Sequence, residues 1–324
     1  MIKFGLLVNW LQSFGPAGQR FDYSREGELL ARVCMEADRL GFYSITMIDH
    51  LEHDVFEPLT ALSYVAGLTK NIRISQAVLN PTLRSPALIA KMTATLDRLS
   101  NGRLELGIGS GTLRSESYAP YGIPVQHQSG RVERLIEFIH VVKSLWKGTS
   151  FDFEGKYYHL KGALIEPTPR QTPRPRIMIG GRSQKLMEIA TEHEAWNYFF
   201  HPIHDPPSPS KCREKIEEFD KICEEKGVSP ETVDKCIEPI TLMATEDRQK
   251  VNGFIEKAAN IARVNADEIR KRFEFAFVGT PEDVEKRVEA FVGAGVNYFL
   301  LSGPGLRDPD SLEIFARDIM EKYK

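Results

Sequence analysis

The sequence predicts an α/β fold, a (β/α)8 TIM barrel with insertions at the carboxyl face of its strands. Short apolar, β-branched segments alternate along the chain with segments whose apolar residues recur at helical spacing. Eight such apolar segments occur, and this number favours a closed barrel over a doubly wound sheet. A chain of 324 residues also lies within the span of about 200 to 400 residues that such barrels cover as one domain.

The first part of the chain contains four strand-then-helix units in succession, and this pattern predicts parallel strands. In the first helix, Leu30, Val33 and Ala37 fall on one side, and Gly41 follows where a helix commonly ends. The predicted strands are 2–8, 44–48, 72–79 and 104–108, and the predicted helices are 25–40, 59–68, 86–99 and 131–146.

The alternation is interrupted between about residues 150 and 175. Apolar and polar residues alternate there around Glu154-Gly155, which predicts an inserted hairpin before a proline-rich connection. The pattern then resumes, and we expect a single domain over residues 1–324 with a helical insertion at about 248–273. The remaining predicted strands are 177–179, 196–200, 237–244 and 298–301, and the remaining helices are 184–194, 211–226, 281–294 and a last helix to about Tyr323.

The composition argues against two classes of partner. With 42% hydrophobic residues, 27% charged residues and a net charge of -3, the chain has no basic footprint for nucleic acid or an acidic membrane. Its apolar runs are far shorter than the roughly 20 residues of a membrane span, and its amino end lacks a signal-peptide pattern. We therefore expect a cytoplasmic protein. The cysteines have no C-x-x-C spacing, which predicts free thiols at Cys34, Cys212, Cys223 and Cys236.

The second predicted strand stops at a carboxylate beside an imidazole, Asp49 and His50. Because the unperturbed pKa of histidine lies near neutrality, His50 at a strand end is a candidate proton donor, and Asp49 is placed to orient it. The alternative interpretation is a turn cap by Asp49 and a surface histidine.

In a barrel, the carboxyl ends of the strands meet at one face, where the site is expected. Gly107-Ile-Gly-Ser-Gly111 could cradle a phosphate, let a flat ring approach the backbone, or form a plain turn. It is not the dinucleotide fingerprint, which opens a helix in an early βαβ unit. The residues at these strand ends are Asn9, Asp49, His50, Asn80, Gly109, Ser110, Gly111, Gly180, Gly181 and Ser302.

A second anion-binding candidate follows the fifth barrel strand. Gly180, Gly181, Arg182 and Ser183 place free amides, a guanidinium and a hydroxyl before a helix, and the alternative is a simple cap by Ser183. We expect no metal, because the pair His201 and His204 lacks further ligands. The other polar groups interpreted as surface or loop residues are His53, Asp54, His127, His159 and His193.

Several motifs occur in a fixed order along nearly the whole chain: Gly41-Phe-x-Ser-x-x-x-x-Asp-His50, Glu57-Pro-Leu-Thr60, Ile74-x-x-Ala-Val-Leu-x-Pro81, Ala94-Thr-Leu-Asp-Arg-Leu-Ser-x-Gly-Arg-Leu104, Gly107-x-Gly-x-Gly111, Leu145-Trp146, Phe153-Glu-Gly-x-Tyr-Tyr158, Ile179-Gly-Gly181, Val278-Gly-Thr-Pro-Glu-Asp283 and Ala294-Gly-Val296. Together these motifs resemble the bacterial luciferase-like superfamily of flavin- or deazaflavin-dependent oxidoreductases.

The resemblance implies an isoalloxazine-type ring beside the second to fourth strands, and a non-prolyl cis peptide at Ala77-Val78 against one ring face. It implies that Asp49 and His50 contact the ring or the substrate, with His50 as the proton donor. It also implies a homodimer. By the same match, Asn80, Ser110 and Gly111 would contact the ring, and Gly180, Gly181, Arg182 and Ser183 would hold the phosphate.

The chain departs from the deazaflavin-dependent sugar-phosphate dehydrogenases, because Thr112 stands where they have a second acid/base glutamate, with Glu116 four residues on. Trp10, Thr112 and Glu116 are expected to line the substrate pocket, and a sugar phosphate is not the expected substrate. We predict hydride transfer between coenzyme F-420 and a small organic substrate such as an alcohol, an aldehyde or a pterin-type one-carbon carrier. The alternatives are an FMN-dependent monooxygenase, a non-catalytic flavin-binding protein and a metal-dependent barrel hydrolase.

Overall fold

The computed structural model describes residues 1–8, 25–51, 56–111, 118–123, 128–201 and 205–324. The strands are β1 (Lys3–Leu7), β2 (Ser44–Met47), β3 (Arg73–Gln76), β4 (Leu104–Gly109), β5 (Phe151–Glu154), β6 (His159–Ala163), β7 (Arg176–Gly180), β8 (Ala195–Phe199), β9 (Asp234–Ala244), β10 (Phe277–Gly279) and β11 (Tyr298–Ser302). The α-helices are α1 (Glu26–Leu40), α2 (Pro58–Leu68), α3 (Pro86–Leu99), α4 (Gln128–Leu145), α5 (Gln184–Ala190), α6 (Pro209–Glu225), α7 (Arg248–Ala262), α8 (Ala266–Arg272), α9 (Pro281–Val292) and α10 (Pro309–Asp318).

Nine strands share one sheet in the order β10-β9-β11-β1-β2-β3-β4-β7-β8, and a further pairing of β9 with β8 closes eight of them into a barrel. Adjacent strands such as β1 and β2, or β4 and β7, run parallel. The predicted fold class, a (β/α)8 barrel, is therefore confirmed. Within the described residues, no helix is long and apolar enough to cross a membrane.

One strand was not predicted. β10 pairs with the end of β9, outside the eight barrel strands, with Phe277 opposite Leu242. It is only three residues long, too short to give an alternation that sequence patterns can detect. The helical insertion predicted over 248–273 consists of two helices, α7 and α8, which are separated where Arg263 adopts a left-handed conformation with φ of 54° and the Asn265 side chain caps α8.

Internal contacts divide the chain into two compact units. The terminal unit comprises residues 1–46 and 197–324, and the central unit comprises residues 47–196. In the terminal unit, Phe4 of β1 stacks on Phe299 of β11 at 5.3 Å and meets Phe315 of α10 edge-on at 5.2 Å. On the other face of these strands the Ser44 and Tyr298 hydroxyls lie 2.6 Å apart. The sheet of this unit therefore has an apolar face toward its helices and a partly polar inner face.

The inserted hairpin of β5 and β6 belongs to the central unit and confirms the prediction for this region. Two side chains of α4 bind its turn. The Glu137 carboxylate accepts hydrogen bonds from the backbone N–H groups of Lys156 at 2.8 Å, Tyr157 at 2.9 Å and Tyr158 at 3.3 Å, and the Glu133 carboxylate accepts from Lys156 Nζ at 2.9 Å and Tyr157 Oη at 3.0 Å. A Cβ atom at Gly155 would lie 2.5 Å from Glu137 Oε2, so a side chain there would displace the carboxylate.

All four cysteines are free and buried, as predicted from their spacing: Cys34, Cys212, Cys223 and Cys236. Burial raises the pKa of the Cys212 thiol to about 12. Because a thiolate is the reactive form, the Cys212 thiol is an inert packing group.

Candidate active site

The carboxylate of Asp49, two residues after β2, is almost fully buried, with 2% of its side chain exposed. Arg84 binds it in a bidentate manner, with Nη1 donating to Oδ2 at 2.6 Å and Nη2 donating to Oδ1 at 3.0 Å. The backbone N–H of Asn80 also donates to Oδ2, at 2.9 Å. Both oxygens of Asp49 therefore accept hydrogen bonds within the central unit. We name the Asp49–Arg84 pair the carboxyl-end bridge, since both residues follow the carboxyl ends of strands.

The sequence interpretation did not include Arg84. A signal for it exists, because a basic residue lies in the turn after β3, which neighbours β2 in the sheet. A strand-end carboxylate at the adjacent position is the natural partner for such a residue. The bidentate geometry itself depends on how the turn after β3 folds, which sequence patterns do not specify.

Arg84 also reaches the start of α2, where its Nη2 donates to Glu57 Oε1 at 2.6 Å. Glu57 caps that helix by accepting from the N–H groups of Leu59 and Thr60. Burial alone would raise the pKa of Glu57, but the hydrogen bonds from Thr60 and the charge of Arg84 lower it. Burial alone would lower the pKa of Arg84, and its bonds to Asp49 and Glu57 raise it instead.

The predicted proton donor, His50, is half-buried directly after Asp49. The next residue, Leu51, accepts a hydrogen bond at its carbonyl from the hydroxyl of Tyr121, at 3.0 Å. This bond fixes the chain that leaves His50 to the segment after β4. The catalytic role of His50 stays a prediction.

The strand β3 ends three residues earlier than predicted, at a cis peptide between Ala77 and Val78. The prediction of a non-prolyl cis bond at this position is confirmed. Ala77 N–H donates to the carbonyl of Met47 at 2.9 Å. The Val78 side chain lies against Gly109 of β4 and Gly180 of β7, and a Cβ atom at either glycine would come within 2.6 Å of a Val78 methyl group. These glycines thus make room for Val78.

Gly107 of β4 makes room for the end of β3, because a Cβ atom at Gly107 would lie 1.6 Å from the carbonyl oxygen of Gln76. Gln76 and Val78 therefore fill the space beside Gly107 and Gly109, and a phosphate or ring at the Gly107–Gly111 segment stays a prediction. Gln76 is fully buried, and its side-chain amide nitrogen and oxygen have no hydrogen-bond partner among the described residues.

The side chain of Asn80 is held within its own turn and by a neighbouring segment. Its Nδ2 donates to Tyr118 Oη at 2.9 Å, and its Oδ1 accepts from Thr82 N–H at 3.0 Å. Gly111, with φ of 79°, packs against it, since a Cβ atom there would lie 2.7 Å from Asn80 Oδ1. Arg131 of α4 donates to the Gly111 carbonyl. Asn80 and Gly111, both predicted to contact a ring, thus lie side by side.

The predicted phosphate-binding segment connects β7 to α5. Ser183 occupies the N-cap position of α5, but its side chain makes no cap hydrogen bond. The alternative interpretation of Ser183 as a simple helix cap is therefore wrong, and its hydroxyl is not committed to the helix. Trp196 Nε1 donates to the Gly181 carbonyl at 2.9 Å, which fixes the segment against β8.

Residues 2–263 match the sequence model of the luciferase-like monooxygenases, which is most of the chain. The chain belongs to the luciferase-like monooxygenase family. The family resemblance inferred from the ordered motifs is thereby confirmed.

Relatives within this family carry two kinds of name. An F420-dependent glucose-6-phosphate dehydrogenase of Amycolatopsis mediterranei (strain U-32) is 28% identical, over 100% of this chain and 99% of the relative. An FMNH(2)-dependent dimethylsulfone monooxygenase of Pseudomonas putida is 25% identical, over 98% and 92%. Among solved structures, monooxygenase RslO1 from Streptomyces bottropensis has a TM-score of 0.81 at 22% identity, over 100% of both chains, and supports the fold.

This luciferase-like chain has a second bidentate arginine–carboxylate pair. It lies at the amino end of β7, opposite the predicted phosphate-binding segment. Arg174 donates from Nη1 to Glu194 Oε2 and from Nη2 to Glu194 Oε1, each at 3.0 Å, and Glu194 also accepts from the N–H of Ile177 at 2.8 Å. We name Arg174–Glu194 the amino-end bridge. Burial alone would raise the pKa of Glu194, but the hydrogen bonds from Arg174 lower it. Beside it, Arg176 Nε donates to the buried carboxylate of Glu105 at 3.1 Å.

The terminal unit of this family member contains a buried carboxyl group with no cation bound to it among the described residues. Glu238 of β9 is 4% exposed, and its Oε1 accepts from Asn197 Nδ2 at 2.6 Å. Its Oε2 and the Asn197 Oδ1 have no hydrogen-bond partner among the residues described. Burial raises the pKa of Glu238 to about 8, although the hydrogen bond from Asn197 lowers it. Glu238 was not singled out in the sequence.

Some of the remaining predicted residues lie within the described ranges, and the others lie outside them. Ser110 is half-buried beside Gly111, and Ser302 is buried at the end of β11. His193 lies in the loop between α5 and β8, within the prediction of a surface or loop residue, but it is only 7% exposed, and burial lowers its pKa. The described ranges contain no group of three or more metal-ligating side chains. Outside these ranges lie Asn9, Trp10, His53, Asp54, Thr112, Glu116, His127 and His204.

Proposed function

We propose that this enzyme transfers a hydride between coenzyme F-420 and a small organic substrate, such as an alcohol, an aldehyde or a pterin-type one-carbon carrier. A relative that aligns over the whole chain is named an F420-dependent dehydrogenase. The observation that carries the proposal is the packing of Val78 between Gly109 and Gly180. A side chain held between strands in this way is a rigid wall, as positioning the flat face of a ring requires.

The residues at the strand ends fit such a ring. The side-chain amide of Gln76, next to Ala77, is buried with no hydrogen-bond partner among the described residues, and each unmade hydrogen bond of this kind costs about 1–3 kcal/mol. A flavin-type ring edge offers both donors and acceptors to an amide. The residues that would hold the ring are Asp49, Ala77, Val78, Asn80, Ser110 and Gly111, and those that would hold the phosphate are Gly180, Gly181, Arg182 and Ser183.

When bound, coenzyme F-420 supplies a deazaflavin ring that accepts or donates a hydride. An imidazole nitrogen of His50 takes the hydroxyl proton of an alcohol substrate, or returns it to a carbonyl oxygen in the opposite direction. Trp10, Thr112 and Glu116 line the substrate pocket in this proposal.

A second candidate is an FMN-dependent monooxygenase on the same residues. It is favoured by the relative named an FMNH(2)-dependent dimethylsulfone monooxygenase, which matches nearly as much of the chain. The two candidates share the ring wall and the phosphate segment, so they differ in the ring that binds and in its use of oxygen.

Titration of the purified protein with F-420 and, separately, with FMN tests the proposal. We expect quenching of F-420 fluorescence at micromolar protein and no saturable change with FMN. Tight binding of FMN without binding of F-420 would replace the proposed function with the second candidate. Chelator-sensitive hydrolysis without a response to either ring would favour a metal-dependent hydrolase.

We also infer a homodimer, as the family resemblance implies. The helices α2 and α3 expose a set of apolar side chains, Tyr64, Leu68, Leu88 and Leu99, that a second copy of the chain would cover. Light scattering coupled to size-exclusion chromatography tests this inference, and a monomeric mass at micromolar concentration would contradict it.

A further inference from the structure

We propose that Arg84 and Asp49 act as one positioning unit that fixes the turn at Asn80 for ring binding, and that Asp49 is not an acid or base in the reaction. This inference rests on the proposed function and adds Arg84 to the residues on which ring binding depends. It starts from the hydrogen bonds of Asp49, which connect the end of β2 to the turn after β3.

The first argument is the occupancy of the carboxylate. A general base needs a free oxygen lone pair that faces the proton to be moved. In Asp49, Oδ1 accepts from Arg84, and Oδ2 accepts from both Arg84 and the Asn80 backbone. Three of the four lone pairs of the carboxylate thus accept from N–H donors at 2.6–3.0 Å, and the arginine fork that takes two of them commits the group to orientation.

The second argument is rigidity. A bidentate guanidinium–carboxylate pair has one preferred planar arrangement, so it transmits position better than a single hydrogen bond. The pair is shielded from water, with 13% of the Arg84 side chain and 2% of the Asp49 side chain exposed. Arg84 also binds Glu57 at the start of α2, which adds a third chain segment to the unit. The arginine thus joins three chain segments.

The third argument is the path from the bridge to the ring contacts. Asp49 holds the backbone of Asn80, and the Asn80 side chain holds Tyr118 while Gly111 packs against it. Loss of the bridge therefore shifts Asn80 and Gly111 together. Both residues belong to the proposed ring site, so ring affinity is the quantity that depends on the bridge.

A double-mutant cycle tests the proposal on the full chain, with Arg84→Gln, Asp49→Asn and the double variant. We expect each single substitution to raise the dissociation constant of F-420 about 10-fold or more, because small displacements of binding groups have effects of this size. We expect the double variant to bind about as weakly as either single variant, since both remove the same unit. Arg84→Lys keeps the charge without the fork and should bind with intermediate affinity.

The amino-end bridge provides the matched control. Arg174→Gln breaks a pair of the same geometry in the same unit, so it should lower thermal stability while leaving the dissociation constant within about 2-fold. An equal loss of ring affinity in Arg174→Gln would overturn the proposal, because the effect would then come from general destabilisation. Unchanged affinity in Asp49→Asn, or fully additive losses in the double variant, would overturn it as well.

Failure of the proposed function is distinguishable from failure of this inference. If the wild-type protein binds FMN and not F-420, the cycle is measured with FMN, because the positioning argument concerns the ring contacts shared by both. If neither ring binds, the cycle is measured by thermal unfolding of the free protein. Additive losses of stability for Arg84→Gln and Asp49→Asn then refute the single unit, and non-additive losses support it.

Discussion

The carboxyl-end bridge and the amino-end bridge of the central unit have the same bidentate form in different surroundings. At the carboxyl end, 13% of Arg84 and 2% of Asp49 are exposed, and the carboxylate also binds the backbone of a turn, at Asn80. At the amino end, 19% of Arg174 and 33% of Glu194 are exposed, and the carboxylate also binds a strand. One pair therefore fixes a turn whose shape the sheet does not set, and the other reinforces a strand that is already paired.

This difference agrees with the division of labour in α/β barrels, where residues at the carboxyl ends of strands serve function and those at the amino ends serve stability. The chemistry of a bidentate pair does not show whether the pair serves function or stability. The segment that the carboxylate binds shows this, because a turn shifts when its bound carboxylate shifts, whereas a strand is held by its neighbours in the sheet.

The largest expected effect separates two histidines of the central unit. His50→Ala should lower the turnover rate by about 100-fold or more while ring affinity changes little, because a positioned acid/base group contributes this much. His193→Gln, at the buried position after α5, should leave turnover unchanged. The measurement is F-420 reduction with an alcohol that the wild-type enzyme accepts. Wild-type turnover in His50→Ala would remove this residue from the mechanism.

The second expected effect is a pH dependence of stability that comes from Glu238. Unlike the carboxylates of the two bridges, Glu238 binds no cationic side chain among the described residues. Its folded-state pKa of about 8 exceeds the unfolded value of about 4.3, so the folded protein retains a proton that the unfolded chain has lost. Stability should therefore fall by up to a few kcal/mol as the pH rises from about 4.5 to about 8. Glu238→Gln keeps the hydrogen-bonding shape and should flatten this slope. Urea unfolding at several pH values measures it, and parallel slopes for both proteins would contradict the shift.

A third effect concerns the packing of Val78 at the strand ends. Gly109→Ala should destabilise the protein by about 1–3 kcal/mol, since the new methyl group meets Val78, and Val78→Ala in the same chain should restore most of the loss. Gly67→Ala is the control, because no atom lies within 4 Å of its added Cβ and alanine favours helix. Denaturant unfolding measures all three. If the double variant is no more stable than Gly109→Ala, Gly109 has a role other than making room for Val78.

The smallest effect compares two serines at helix starts. Ser85 Oγ accepts from Leu88 N–H, so Ser85→Ala should cost about 1 kcal/mol. Ser183 makes no such bond, so Ser183→Ala should change the stability of the free protein by less than about 0.5 kcal/mol. Ring affinity should fall only in Ser183→Ala. A stability loss as large as that of Ser85→Ala would indicate a structural role for Ser183.

Much of the fold could be predicted from sequence, because apolar periodicity and helix-capping residues are local signals. The strand from Ser44 and the helix from Pro86 begin where their patterns begin. The short strand at Phe277 was missed, since three residues carry no period. The helical insertion over 248–273 was predicted without its division into α7 and α8, because neither Arg263 nor Asn265 is a strong helix breaker by type.

The site could be predicted only in part. The family motifs located the cis peptide at Ala77-Val78, which no local propensity would have indicated. The partners of Asp49 could not be predicted, because a bidentate bond to Arg84 depends on the fold of a turn 35 residues away in the chain. The neighbours of Gly107 and Gly109 could not be predicted for the same reason, since sequence does not tell which residue fills the space beside a glycine.

Two carboxylates of α4 hold the inserted hairpin, and this has a consequence for how the chain can be modified. Glu137 binds three consecutive backbone N–H groups of the turn, while Glu133 binds the side chains of Lys156 and Tyr157, so the attachment depends on the shape of the turn and on two of its side chains. Foreign sequence, such as an epitope or a fluorescent label site, placed at the tip of the hairpin therefore has to keep Gly155, Lys156 and Tyr157 to preserve the attachment to α4.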